Sequence, residues 1–126
     1  MPISQLEGYE EVERQVGACK GSQFQVIESL MCKLAEDTDS KGYIVELTMS
    51  GERGFISYRF TNVQDFKISR LSQIIGFDVD DIQDRQLEAA KYEIYDYEDD
   101  AVQFYAEDAE ITSYRPLPRS SASEDT

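Results

Sequence analysis

Residues 43–60 read YIVELTMSGERGFISYRF, and their alternation decides the fold. Tyr43, Val45, Leu47 and Met49 alternate with Ile44, Glu46 and Thr48, and Ile56, Tyr58 and Phe60 alternate with Ser57 and Arg59. Successive strand side chains point to opposite sides, so a period of two marks a strand with one face on a core. Ser50-Gly51-Glu52-Arg53-Gly54 between the runs carries the turn residues of a hairpin. The same pattern predicts further short strands over 63–68, 74–79, 91–97, 102–106 and 110–114, each aromatic or β-branched on one face. Residues 81–90, with Ile82, Leu87 and Ala90, read as a helical turn or loop.

Upstream of the hairpin the pattern changes. Leu6, Tyr9, Val12 and Val16 recur every three or four residues, which predicts a helix over 5–16 with Ser4 and Glu7 as its capping box and Gly17 at its end. Residues 22–36 fit either a helix or a strand broken near Glu28; the strand is preferred. The polar run 36–42, EDTDSKG, reads as a loop. The connections are too short for parallel crossovers, so the fold class is α+β and mostly β. It is an antiparallel meander of about six to eight short strands with one N-terminal helix. The single domain spans 1–115, with a core of Val45, Leu47, Ile56, Tyr58, Phe60, Phe66, Ile75, Phe77, Ile94, Val102 and Phe104. Residues 116–126, PLPRSSASEDT, read as a flexible tail.

Composition narrows the function. The 126 residues hold 12 Lys and Arg against 26 Asp and Glu, a net charge of −14, and no His. Nucleic acids and anionic membranes are poor partners for such a chain, because both bind clustered Lys and Arg. Without imidazole there is no Ser-His-Asp or Cys-His pair, and Cys19 and Cys32 cannot complete a zinc site. The two cysteines read as small core or half-buried residues with free thiols. The run Asp78-Val79-Asp80-Asp81-Ile82-Gln83-Asp84 starts like a calcium loop but has Ile82 and Gln83 where a ligand and a glycine are needed. Paired carboxylates for glycoside hydrolysis would need a cleft, which surface turns do not signal. The expectation is a protein that is not an enzyme and uses no metal or cofactor. The N-terminus lacks the basic and apolar regions of a secretory signal, and no apolar run is long enough to span a membrane, so the expected location is cytoplasmic.

The charge is unevenly placed. Residues 1–70 hold 8 basic and 11 acidic side chains, net −3, whereas residues 71–126 hold 4 and 15, net −11. Asp78, Asp80, Asp81 and Asp84 form one cluster, Asp96, Glu98, Asp99 and Asp100 a second, and Glu107, Asp108 and Glu110 a third. Tyrosines are interleaved with them. If Tyr92 and Ile94 face the core, Tyr95 and Tyr97 face out beside the acids. The partner-binding surface expected from this pattern is Asp78, Asp80, Asp81, Asp84, Tyr95, Asp96, Tyr97, Glu98, Asp99 and Asp100, since tyrosines anchor interfaces and acidic rims steer basic partners. Solvated acidic turns that serve only solubility are the plainer alternative.

ISYRFTNVQDFKI at 56–68, IIGFDV at 74–79 and YEIYDYEDDAVQFYAEDAEI at 92–111 carry a resemblance. Together they resemble small immunity proteins of bacterial polymorphic-toxin systems, particularly the immunity-protein-fifty group, in which a strand ending in F-x-x-V (here Phe60 to Val63) precedes short strands and a closing pair rich in aromatic and acidic residues. The resemblance covers about 90 residues and leaves out the first 20. It implies an antitoxin that binds and blocks a cognate toxin domain, as in contact-dependent growth inhibition, with a basic nuclease-type effector as the natural complement of the charge. An acidic adaptor or regulatory domain that binds some other basic protein is the rival reading.

Overall fold

One strand, β3 (Gly54–Ile68, 15 residues), organises the molecule. In the computed structural model, residues 3, 6–17, 20–34, 42–69, 74, 76–83, 90–98 and 100–116 are described. β3 follows β2 (Tyr43–Gly51) through a turn at Glu52 and Arg53, with Gly51 paired to Gly54. Gly54 has φ of 126° and lies against the Arg115 carbonyl, so a Cβ there would be both strained and obstructed. The first half of β3 pairs with β2 on one side and with β7 (Asp108–Arg115) on the other. Its second half pairs with β6 (Val102–Ala106).

The β6–β7 chain therefore runs antiparallel to β3 from Ile68↔Val102 to Phe55↔Arg115. The break between β6 and β7 is held by Glu107 N–H donating to the Thr61 carbonyl at 3.0 Å. Beside it β3 bends at Asn62 and Asp65, both with φ of 54°, a conformation these two residue types adopt more readily than others. β5 (Tyr92–Asp96) pairs with β6, and β4 (Phe77–Asp81) pairs with β5. At the other end β1 (Phe24–Leu34) pairs with β2. Among the described residues the result is one seven-stranded sheet of order β1-β2-β3-β6-β5-β4 with β7 on β3, every named strand pair antiparallel.

The sheet curls, because Ile74 N–H donates to the Gln25 carbonyl at 2.7 Å and Gly21 lies against Phe77. Its concave side holds the core. Tyr58 stacks on Phe60 and meets Phe77, with centroids at 5.6 and 5.4 Å, and Phe104 meets Phe60 and Phe66, both at 5.2 Å. The expected core residues are buried, apart from Phe66, which is half-buried, and Ile75, which lies outside the described residues.

The expectation for 22–36 is met as a strand, with register shifts on either side of residues 26–27 and the second across Glu28. Residues 63–68 extend β3 instead of forming a separate strand, and the strand expected at 74–79 starts at Phe77. The helix α1 is Tyr9–Val16, shorter than the 5–16 expected. Glu7 accepts from Ile111 N–H at 2.7 Å, which commits its backbone to β7, and Gly8 turns the chain with φ of 96° before the helix starts. Cys32 is exposed, not core. Ser4, Gln5, Cys19, residues 84–89 and the tail at 117–126 lie outside the described residues, as does most of the 36–42 loop.

Candidate protein-binding face

Pairing across β4, β5 and β6 fixes which side chains share a face. Phe77, Val79, Ile94, Val102, Phe104 and Ala106 point inward and are buried. The intervening residues must then point out. Ladder partners give two rows on that outer face. Asp78 pairs with Tyr95, Tyr95 with Gln103 and Gln103 with Lys67, while Asp80 pairs with Glu93, Glu93 with Tyr105 and Tyr105 with Gln64. Side chains of neighbouring strands stand close enough to interact directly.

The rows are knit together. Gln103 Nε2 donates to Glu93 Oε2 at 3.0 Å and to the Tyr105 hydroxyl at 3.4 Å, and the Tyr95 hydroxyl donates to Asp80. Burial pushes the Tyr95 phenol up to about 12, aided by the charges of Asp80 and Asp78, the Asp80 bond and the charge of Glu93. Burial also raises the Asp78 carboxyl, against the opposing bond from Val79 N–H. Half-buried carboxylates and a phenol thus share a field of negative potential.

A second acidic surface lies in the open groove between α1 and β7, lined by Glu7, Glu10, Glu11, Arg14, Tyr92 and Asp108. Here the balance differs. Arg14 bonds and ion-pairs with Glu11, and the bonds from Arg14 and Gln15 hold that carboxyl below its usual range. A carboxylate already served by its own cation has less to offer a partner than one whose environment opposes its charge. The outer face of β4–β5–β6 is therefore the stronger candidate.

Of the expected surface residues, Asp78, Asp80 and Tyr95 come together on this face. Asp81 is exposed at the end of β4, where its carboxylate accepts from Gln83 N–H at 2.9 Å. Tyr97, Glu98 and Asp100 are exposed in the connection between β5 and β6, so Tyr97 does not continue the row of Tyr95. Asp84 and Asp99 lie outside the described residues. Asp96 departs from expectation most clearly: it is 1 % exposed and accepts the N–H groups of Gly76, Glu98 and Ala101 at 3.0 to 3.1 Å. Its carboxylate organises the connection and cannot meet a partner. Glu93 and Gln103 were missing from the sequence expectation, although their parity with Tyr95 and against Phe104 places them on the outer face.

Among the described residues, no group of three His, Cys, Asp or Glu side chains could hold a metal ion, and no helix is long and apolar enough to cross a membrane. The family model described as Immunity protein PIM8 matches residues 9–112. This places the chain within the class of polymorphic-toxin immunity proteins, under a different designation from the immunity-protein-fifty group. No curated protein and no solved structure matches the chain significantly.

Proposed function

The chain belongs to the Immunity protein PIM8 family, and on that premise we propose where and how it meets its toxin. An immunity protein binds and neutralises a cognate toxin. In our reading the outer face of β4–β5–β6 docks on a basic, phosphate-binding cleft of a nuclease-type toxin in the cytoplasm and blocks it by occlusion. The exposed Tyr97, Glu98 and Asp100 form part of the rim.

The observation that carries this reading is the array of Asp78, Asp80 and Glu93 around Tyr95, whose phenol is pushed up to about 12 chiefly by burial and then by these acids. A toxin Arg or Lys entering it gains charge-assisted bonds to the carboxylates and can lie over a tyrosine ring. The excess of acid over base across the chain also speeds encounter with a basic surface. Occlusion requires no bond to be made or broken, so the reading assigns no catalytic residue.

The test is the double variant Asp78→Lys/Asp80→Lys. It should remain folded by circular dichroism, fail to protect cells expressing the toxin, and associate with purified toxin more slowly and with a weaker dependence on salt. Full protection with unchanged association kinetics would place the interface elsewhere.

A further inference from the structure

The two outer strands of the sheet are unlike each other. β4 carries Asp78, Asp80 and Asp81 within five residues, and such charge discourages another strand from pairing with its edge. β1 has 11 residues, no proline, and only Glu28 and Lys33 as charged side chains. Ile74 meets its start at the Gln25 carbonyl, but among the described residues no strand pairs its outer edge beyond that point. The exposed large apolar side chains also gather here: Val26 is 41 % exposed, Met31 51 % and Leu34 62 %, with Tyr43 50 % exposed opposite Leu34. Tyr97 is the other such residue among those described.

We propose that this edge pairs with the same edge of a second copy, antiparallel about a two-fold axis at Met31. A two-fold normal to the sheet keeps paired side chains on one face, so the axis must pass through a residue of the regular segment. Centring on Leu30 would set Ile27 against Lys33, and centring on Cys32 would set Met31 against Lys33. Centring on Met31 pairs Met31 with Met31 and Leu30 with Cys32. It also sets Lys33 opposite Ser29, beside the other copy's Glu28. Glu28 occupies the irregularity between Ile27 and Ser29, and its carboxylate accepts from Ser50 Oγ at 2.6 Å, on the face that Met31 and Lys33 share. Each Lys33 then meets a Glu28 on the same side of the combined sheet, so the segment is complementary to itself in charge. A basic toxin would find no such complement, because one acid and one base cancel along this edge. The inference is independent of the toxin-binding face.

Sedimentation of the full chain over a dilution series tests it. The wild type should run at twice the 14.4 kDa chain mass at the concentrated end. Met31→Lys sets like charges directly opposite each other and should weaken the dimer roughly tenfold or more, with an unchanged circular dichroism spectrum. Asp78→Lys/Asp80→Lys should remain dimeric. In a Cys19→Ser/Cys32→Ser background, Met31→Cys should give a covalent dimer on mild oxidation, while Lys91→Cys on the same background should not. A wild type at monomer mass throughout overturns the proposal, and so does a monomeric wild type whose Met31→Lys variant loses toxin binding, since the edge would then serve the toxin. Failure of Met31→Cys to cross-link overturns the register.

Discussion

On the two faces of β4–β5–β6, carboxylates one ladder step apart do opposite work. Asp96 pairs with Phe77 and Asp78 pairs with Tyr95, yet Asp96 points in and Asp78 points out. The inner carboxylate is almost wholly removed from water, and three backbone N–H groups take the place of water around it. The outer one accepts a local bond from Val79 N–H at 2.8 Å, while burial opposes its charge. The donors around a carboxylate, more than its place in an acidic run, decide whether it maintains the fold or stays on the outer face.

The largest expected effect breaks the inner arrangement. Asp96→Ala leaves the N–H groups of Gly76, Glu98 and Ala101 without that acceptor and should cost about 3 kcal/mol or more in urea unfolding. A loss below about 1 kcal/mol would put Asp96 on a par with surface acids. On the outer face the order of effects reverses. The triple neutralisation Asp78→Asn/Asp80→Asn/Glu93→Gln should change stability little but weaken toxin binding by about 2 to 5 kcal/mol in calorimetry, where these groups meet desolvated cations. Tyr95→Ala should cost about 2 kcal/mol of binding as a hot-spot truncation. The smallest effect is Asp78→Asn alone, a gain in stability of about 0.5 kcal/mol or less at neutral pH. Its sign follows from linkage. The folded carboxyl binds its proton more tightly than the reference value of 3.8, so folding opposes ionisation. The advantage of Asp78→Asn should hold above the raised folded value and fade as pH falls to 3.8 and below, which paired unfolding curves across that window would measure.

Much of the sheet was legible because burial on one side writes a period of two into 43–60 and 102–106. The break near Glu28 was legible for the same reason, since a bulge interrupts the alternation. The start of α1 was not, because Ser4 and Glu7 satisfy the local capping pattern while a long-range bond from Ile111 claims the Glu7 backbone. Nor could residues 63–68 be joined to β3 in advance: the bends at Asn62 and Asp65 look like a turn locally and are spanned by pairing with β2, β6 and β7. At the candidate face, parity alone would have added Glu93 and Gln103 to Tyr95. The same parity sets Asp96 inward with Ile94, but what makes a carboxylate tolerable there, the N–H groups of Gly76, Glu98 and Ala101, comes from the fold and not from the alternation.

The most direct test of the central claim is carboxylate footprinting by carbodiimide coupling, read by mass spectrometry with and without the toxin. Asp78, Asp80 and Glu93 should react in the free protein and become protected in the complex, while Glu11 in the α1 groove and Glu46 on β2 react equally in both. Protection of Glu11 with Asp78, Asp80 and Glu93 unchanged would contradict the account and move the toxin to the groove between α1 and β7.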